Sequence, residues 1–274
     1  MSYDLSVVCP SFNKADHLSN HLLSLMNQTF AHDRFESIIV DDGSTDDTKD
    51  AVAEARKHCD FRIRYCYLNR TQKPTSSALP WNYGIRRAEA PIIVQAGADI
   101  MLARDALALL HLYVSDSDGN VQVFGQGYRV HSPLTQALLD HVNWMDDIHN
   151  LETILVSPYH HSAYWTVPML AALPKAWFER LGGYDESFEQ PYPDDSWFWV
   201  RFEASGGRAL NPPEIWGAHQ FHLQQDVACG EGCSCPLWQK GKTYPGPTLK
   251  FGGDPADLVV NPDGWGEFTE SEER

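Results

Sequence analysis

Residues 38–46 read Ile-Ile-Val-Asp-Asp-Gly-Ser-Thr-Asp. Three apolar, mostly β-branched residues predict a buried strand. Two carboxylates stand at its carboxyl end, and Gly43 then permits a sharp turn. Ser44 or Thr45 is placed to cap a helix that starts near Asp46 and runs through Ala51 and Ala55. Ligands of open α/β sheets bind outside the carboxyl ends of the strands. Asp41 and Asp42 therefore stand where a carboxylate can receive a base, a ribose hydroxyl or a metal ion. The alternative is a pair of solvated acids in a turn.

The rest of the first hundred residues keeps this alternation. Strands are predicted over 5–9, 35–40, 61–67 and 91–95, and helices over 16–28, 48–58 and 76–88. Leu18, Leu22, Leu23, Leu25 and Met26 recur at helical spacing in the first helix. Pro80 falls in the first turn of the third, where a missing N–H costs little. This βαβαβαβ order predicts the α/β class, with a mostly parallel central sheet, right-handed crossovers and flanking helices. Further on, a helix is expected over 103–114 and strands over 121–124 and 128–130. Residues 134–163 read as a helix plus loop, and 165–167 as a short strand. Helices over 175–181 and 194–204 each stop at a pair of glycines. From about residue 225 the chain is rich in Gly, Pro and acids, an extension expected to wrap the core or to be partly mobile.

Composition narrows the partners. Of 274 residues 43% are hydrophobic and nine are Trp, enough for a substantial core. No apolar run approaches about 18 residues, so no membrane span is expected. The opening Met1-Ser2-Tyr3-Asp4 has no basic segment followed by an apolar one; no secretory signal, and hence a cytoplasmic location, is expected. A net charge of −16, with 21 Lys and Arg against 37 Asp and Glu, disfavours nucleic acid as a partner. A small anionic substrate accompanied by a metal stays compatible, and Arg86-Arg87 is a local cluster able to hold a phosphate. Cys9, Cys59 and Cys66 read as buried or half-buried thiols. Cys229, Cys233 and Cys235 follow His219 and His222 and mix thiolates with imidazoles, a candidate structural Zn²⁺ site whose spacing matches no standard two-knuckle pattern.

Ser6–Asn13, Gln28-Thr29-Phe30, residues 39–46, Trp81–Ile85 and Gly182–Phe188 with Asp194-Asp195, taken in this order, resemble family 2 glycosyltransferases of the GT-A fold. Ser6-Val7-Val8-Cys9-Pro10-Ser11-Phe12-Asn13 resembles the family's opening strand and Pro-Thr-Tyr-Asn turn. Gln28-Thr29-Phe30 resembles its Gln-Thr-aromatic helix end, and residues 39–46 its nucleotide-binding element. Trp81-Asn82-Tyr83-Gly84-Ile85 is similar to its Arg-Asn-x-Gly-Ile segment. Gly182-Gly183-Tyr184-Asp185-Glu186-Ser187-Phe188, followed by Asp194-Asp195, is similar to its Gly-Gly-Phe-Asp-Glu-x-Phe and Glu-Asp pair. The likeness spans roughly 4–222 and implies a GT-A domain over 1–224, with a nucleotide-binding half at 1–102, an acceptor and catalytic half at 103–224, and the extension at 225–274. There are departures. The family's metal motif, Asp-x-Asp, stands here as Gly97-Ala98-Asp99; Trp81 replaces an Arg, and Asp194 a Glu.

The resemblance implies an inverting enzyme that moves a sugar from a nucleotide-sugar donor, a UDP sugar in this reading, to an acceptor hydroxyl. The nucleotide falls to Pro10, Ser11, Phe12, Asn13, Asp41, Asp42, Gly43 and Ser44, with Arg70, Lys73, Asn82 and Gly84 around it. A carboxylate suits a uracil imide or ribose hydroxyls because it is a strong double acceptor; Asp42 is open to the metal side as well. Asp99 is the expected ligand of Mn²⁺ or Mg²⁺, with His219 or His222 as a second. Asp195 is the expected general base, supported by Asp194 at a helix start. Trp165 and Trp197 are expected on the acceptor side, with Trp144, Tyr164 and Trp199 near them, while His160-His161 reads as a polar surface loop. The acceptor itself, whether glycan, lipid-linked sugar, protein or modified base, is left open. Two rival readings stand beside this one. A nucleotidyltransferase should carry a Gly-rich basic loop after its first strand, which Pro10-Ser11-Phe12-Asn13 does not supply. A catalytically weak GT-A-like domain that binds a glycan, nucleotide or protein draws support from Gly97.

Overall fold

Alternating burial along one strand sets the layers. In β1 (Leu5–Ser11), Leu5, Val7 and Cys9 pack into one hydrophobic cluster and Val8 into another. In β2 (Phe35–Asp41), Phe35 and Ile39 join the first cluster, Ile38 and Val40 the second. A parallel sheet covered on both faces requires this double burial. The computed structural model describes residues 2–70, 76–129, 158–159, 170–187, 193–220, 258–261, 264–268 and 271–273.

Helices α1 (Ala15–Met26), α2 (Thr48–Ala55) and α4 (Ala106–Ser115) cover the first face. Helices α3 (Ala78–Arg87), α5 (Lys175–Leu181) and α6 (Pro193–Ala204) cover the second. Strands β3 (Arg62–Leu68) and β4 (Ile92–Ala96) complete the parallel core: β1 lies between β2 and β4, and β2 pairs with β3. A second, four-stranded sheet holds β5 (Ile100–Leu102), β7 (Gln126–Arg129), β8 (Pro158–Tyr159) and β11 (Trp216–His219). Among the described residues the large sheet has eight strands, adding β6 (Val121–Phe124), β9 (Leu170–Pro174), β10 (Arg208–Leu210) and β12 (Ser271–Glu273), in the order β10-β6-β9-β4-β1-β2-β3-β12. Within it, β9 and β12 run antiparallel to their neighbours. The expected α/β class, with a mostly parallel central sheet, is the observed one.

Several strands had no counterpart in the sequence reading. Leu170-Ala171-Ala172-Leu173-Pro174 shows no period-two alternation, yet it is buried between β4 and β6. Its small alanines let it sit in a strand covered on both faces. Short β5, β10 and β11 are held by pairing rather than by local propensity. The strand expected at 165–167 lies outside the described residues. No helix among the described residues is long and apolar enough to cross a membrane.

Two packing features carry the second helical layer. Gly84 sits where a Cβ would stand 2.5 Å from Val8 Cγ1 and 2.9 Å from Val40 Cγ2, so only glycine lets α3 lie this close to β1 and β2. Fully buried Asn82 accepts from the Tyr184 N–H at 2.7 Å and donates to the Tyr184 carbonyl at 2.8 Å and to Glu186 Oε1 at 2.7 Å. The extension fastens the same loop: Asn261 donates to the carbonyls of Gly182 and Tyr184, and the Gly266 N–H donates to Glu186 Oε1 at 2.7 Å. Arg201, buried in α6, donates to the carbonyls of Leu181, Gly183 and Leu258. These bonds hold the C-terminal end of α5 against α6.

Gly84→Ala is expected to lower stability by about 1–3 kcal/mol through overpacking. The measurement is a urea unfolding curve, which should show a lower midpoint at unchanged slope; an unmoved midpoint refutes the close-approach role.

Candidate active site

The carboxyl ends of β1 and β2 are joined by their loops. Ser11 and Asp41 are register partners, and the Asp42 N–H donates to the Ser11 carbonyl at 2.9 Å. Beyond the strands, the Asn13 N–H donates to Ser44 Oγ at 2.9 Å, and the Thr45 N–H donates to Asn13 Oδ1 at 2.8 Å. Asn13 adopts φ +50°, a left-handed conformation that asparagine tolerates through local side-chain bonds. Gly43 has φ +88°, and a Cβ there would stand 2.8 Å from the Arg70 carbonyl. Glycine is thus required at that turn.

Asp41 and Asp42 differ in role. Asp41 accepts from the Tyr65 hydroxyl at 2.5 Å and from the Ser44 N–H at 2.7 Å. It shapes the turn. Asp42, also buried, takes Arg70 Nη1 on its two oxygens at 3.0 and 3.1 Å. Burial pushes the Asp42 carboxyl up to about 6, with neighbouring Asp41 adding to the rise and the Arg70 guanidinium opposing it. Ser11 Oγ is buried and has no hydrogen-bond partner among the described residues. Pro10 and Phe12 flank it, each half-buried at the rim.

Asp99 lies across β1 from this pair, in the turn between β4 and β5. Antiparallel pairing of β11 with β5 sets His219 opposite Ile100, and His219 Nε2 stands 3.6 Å from Asp99 Oδ2. The Lys14 ammonium pairs with the same oxygen. Below them, the Gln220 N–H donates to the Asp99 carbonyl at 2.8 Å, and its buried side chain bonds Asn20 and the His17 carbonyl of α1. His21 reaches the Ile100 carbonyl with Nδ1 at 2.7 Å, and burial pulls its pKa down to about 4. A carboxylate from the β4–β5 turn and an imidazole from β11 are the hard-oxygen and borderline-nitrogen donors that Mn²⁺ accepts. They fit a divalent cation completed by ligand oxygens. No group of three or more metal-ligating side chains occurs among the described residues.

The structure therefore brings Asp41, Asp42, Gly43, Ser44, Pro10, Ser11, Phe12, Asn13, Arg70, Asp99 and His219 to one rim. It sets other expected residues elsewhere. Asn82 and Gly84 lie in the middle of α3, where one ties down the 182–186 loop and the other admits the helix to the sheet. Arg86 and Arg87 lie at the C-terminal turn of α3, toward the opposite ends of the strands, and bond to the extension through Trp265, Gly266 and Glu267. A crossover helix runs antiparallel to its strands, which carries its last turn away from their carboxyl ends. Asp195 stands half-buried in the first turn of α6. Of Asp194 the backbone alone is described, in that same turn. Trp197 lies two residues further along the helix, its ring centroid 5.9 Å from Arg201 Cζ. Lys73, Trp165, His222 and the Cys229, Cys233, Cys235 group lie outside the described residues, as do Trp144, His160, His161 and Tyr164. Lys14 went unnoticed in the sequence, although it directly follows the Pro10–Asn13 turn.

A family model described as Glycosyl transferase family 2 matches residues 6–162. Validoxylamine A glucosyltransferase of Streptomyces hygroscopicus subsp. jinggangensis is 28% identical over 238 residues, covering 80% of this chain and 56% of its own length. Among solved structures, the mannosyltransferase PcManGT from Pyrobaculum calidifontis, in complex with GDP-Man and Mn²⁺, aligns with a TM-score of 0.57 at 24% identity, over 82% of this chain and 59% of that one. S. aureus TarS 1-349 in complex with UDP-GlcNAc aligns with a TM-score of 0.59 at 16% identity, over 80% of this chain and 59% of that one. These two share the GT-A fold with it. The chain spans about half the length of the curated relatives it matches.

A carboxyl ¹³C NMR titration is expected to find Asp42 near 6. Arg70→Met should raise it further, because the guanidinium is what opposes burial. A midpoint in the ordinary carboxylate range would refute the buried pair.

Proposed function

This chain belongs to glycosyl transferase family 2, and on that premise we propose that it moves a sugar from a nucleotide-sugar donor to an acceptor hydroxyl with inversion. A UDP sugar is our choice of donor, and GDP-Man is the competitor that the solved neighbours suggest. The observation that carries the reading is the single rim on which the Asp42–Arg70 pair and the Asp99–His219 pair flank β1. The nucleoside binds on the Asp41–Asp42 side, where buried Ser11 Oγ gains a partner and the Asp42 carboxylate accepts from an imide or ribose hydroxyl.

Asp99 and His219 would hold a divalent cation, Mn²⁺ or Mg²⁺, which when bound neutralises the departing diphosphate as a Lewis acid. Arg70 adds positive charge on the nucleotide side. Asp195 accepts the proton of the acceptor hydroxyl, and the N-terminus of the 12-residue α6 favours its ionised form. The oxygen so activated attacks the anomeric carbon from the face opposite the diphosphate, which inverts that centre. Asp194 supports Asp195 from the same turn, and Trp197 offers an aromatic face toward the acceptor. The second reading, a domain that binds without transferring, is favoured by one observation: Gly97 stands where a second acid would, and Lys14 occupies the remaining carboxylate.

Thermal-shift measurements with UDP, GDP and their sugars, with and without Mn²⁺, test the reading. Saturation at 100-fold over Kd adds about 2.7 kcal/mol, a rise of several degrees. Absence of any shift with every nucleotide overturns it. Donor hydrolysis is the companion assay: Asp195→Asn should cut turnover about 10²–10⁴-fold while keeping the thermal shift, and Asp99→Ala should abolish the Mn²⁺-dependent part of both. A shift without turnover in the parent chain selects the binding domain.

The pH dependence has a defined sign. The Asp42 carboxyl takes up a proton as pH falls through about 6. Nucleotide affinity is expected to drop below that pH, and Asp42→Asn to flatten this acid limb while weakening binding at neutral pH; titration calorimetry reads both.

A further inference from the structure

Lys14 is the residue that the reading above leaves without a part. Its ammonium pairs with Asp99 Oδ2, the same oxygen that faces His219 Nε2 at 3.6 Å. Both partners are accessible: the Lys14 side chain is 26% exposed and that of Asp99 18%. The backbone of Lys14 is fixed on both sides. The Asn13 N–H is bonded to Ser44 Oγ, the Ala15 N–H to Asp46 Oδ2 at 3.0 Å, and the Lys14 carbonyl accepts from the Leu18 N–H at 2.8 Å. Four methylenes carry the ammonium from that anchor to Asp99.

Gly97 makes this pairing consequential. A Cβ there would stand 3.1 Å from Asp99 Oδ1, so a second acid at 97 would sit directly beside the first. With glycine, one carboxylate remains, and one ammonium balances it. A divalent cation shared by His219 Nε2 and the Asp99 oxygen facing it meets an oxygen that a built-in cation already holds. Position adds a second constraint. β1 lies between β2 and β4, and Lys14 follows the end of β1. A diphosphate joining a nucleoside at Asp41–Asp42 to a cation at Asp99 must cross in front of it.

We propose that Lys14 is a tethered stand-in for the divalent cation: it holds Asp99 Oδ2 in the donor-free protein, yields that oxygen when the cation arrives, and turns to the diphosphate of the nucleotide. It is a positioning residue in the first state and a donor-binding one in the second. The inference rests on the nucleotide-sugar reading above, and it separates cation binding alone from cation binding with nucleotide.

The experiment is calorimetry of Mn²⁺ alone, and of UDP at saturating Mn²⁺, on the parent chain, Lys14→Met and Asp99→Asn. Losing an ion pair of this exposure should tighten Mn²⁺ binding about five-fold in Lys14→Met and weaken UDP binding by a similar factor. Asp99→Asn should lose Mn²⁺ binding although it keeps Lys14. Unchanged or weaker Mn²⁺ binding in Lys14→Met overturns the proposal, and so does UDP binding that fails to fall. If the methionine variant does not fold, Lys14→Gln, polar and of similar length, supplies the same two constants. A parent chain that binds no UDP at all sinks the nucleotide reading itself, an outcome read before any variant is compared.

Discussion

Everything at the rim depends on how the two loops that leave β1 and β2 are bonded to each other. The Ser11 carbonyl, the Asn13 amide and side chain, and the Ala15 N–H meet Asp42, Ser44, Thr45 and Asp46 across the gap. Left-handed Asn13 and Gly43 let both loops make tight bends without the steric penalty other side chains would incur. Backbone groups that leave a strand lose their ladder partners, and here each loop is the partner of the other. Asp41 is spent on this task, which leaves Asp42 as the acid presented by the turn.

The far side of β1 is organised by a different device. β5 turns back directly after Asp99, and β11 pairs with it from more than a hundred residues away. Gln220 then bonds both Asp99 and α1. His219 reaches Asp99 only because that strand pairing exists. Helix α6 depends on yet another layer, where Asn82, Asn261 and Arg201 satisfy the carbonyls at the end of α5 and in the 182–184 loop. A part of the extension thereby becomes a support for the helix that carries Asp195.

The parallel core was legible because local pattern and tertiary role agree there. Strands buried on both faces must be continuous apolar runs, as Ile38-Ile39-Val40 is, and crossover helices must show a one-sided stripe, as Leu18, Leu22 and Leu25 do. The acids of the 41–46 turn were legible for a related reason: a Gly in a sharp turn after a strand can serve few other purposes. Arg86 and Arg87 misled because charge was read without direction along the helix. Asn82 misled because a buried amide that bonds a distant loop looks, in sequence, like one that bonds a ligand. β9 escaped notice because Leu-Ala-Ala-Leu-Pro carries no period of its own.

The amino-acid sequence by itself determined the α/β class, the place of the Asp41–Asp42 turn at a strand's carboxyl end, and the membership that those motifs imply. These follow from interactions within a few residues or within one βαβ unit, where spacing alone dictates geometry. Only the tertiary structure decided that Arg70 answers Asp42, that His219 and Lys14 share one oxygen of Asp99, and that Asn82 and the extension serve the loop before α6. Those pairings join residues 28, 85, 104 and up to 120 or so positions apart along the chain. No local periodicity encodes them; they arise where strand order and helix packing bring separate rims together.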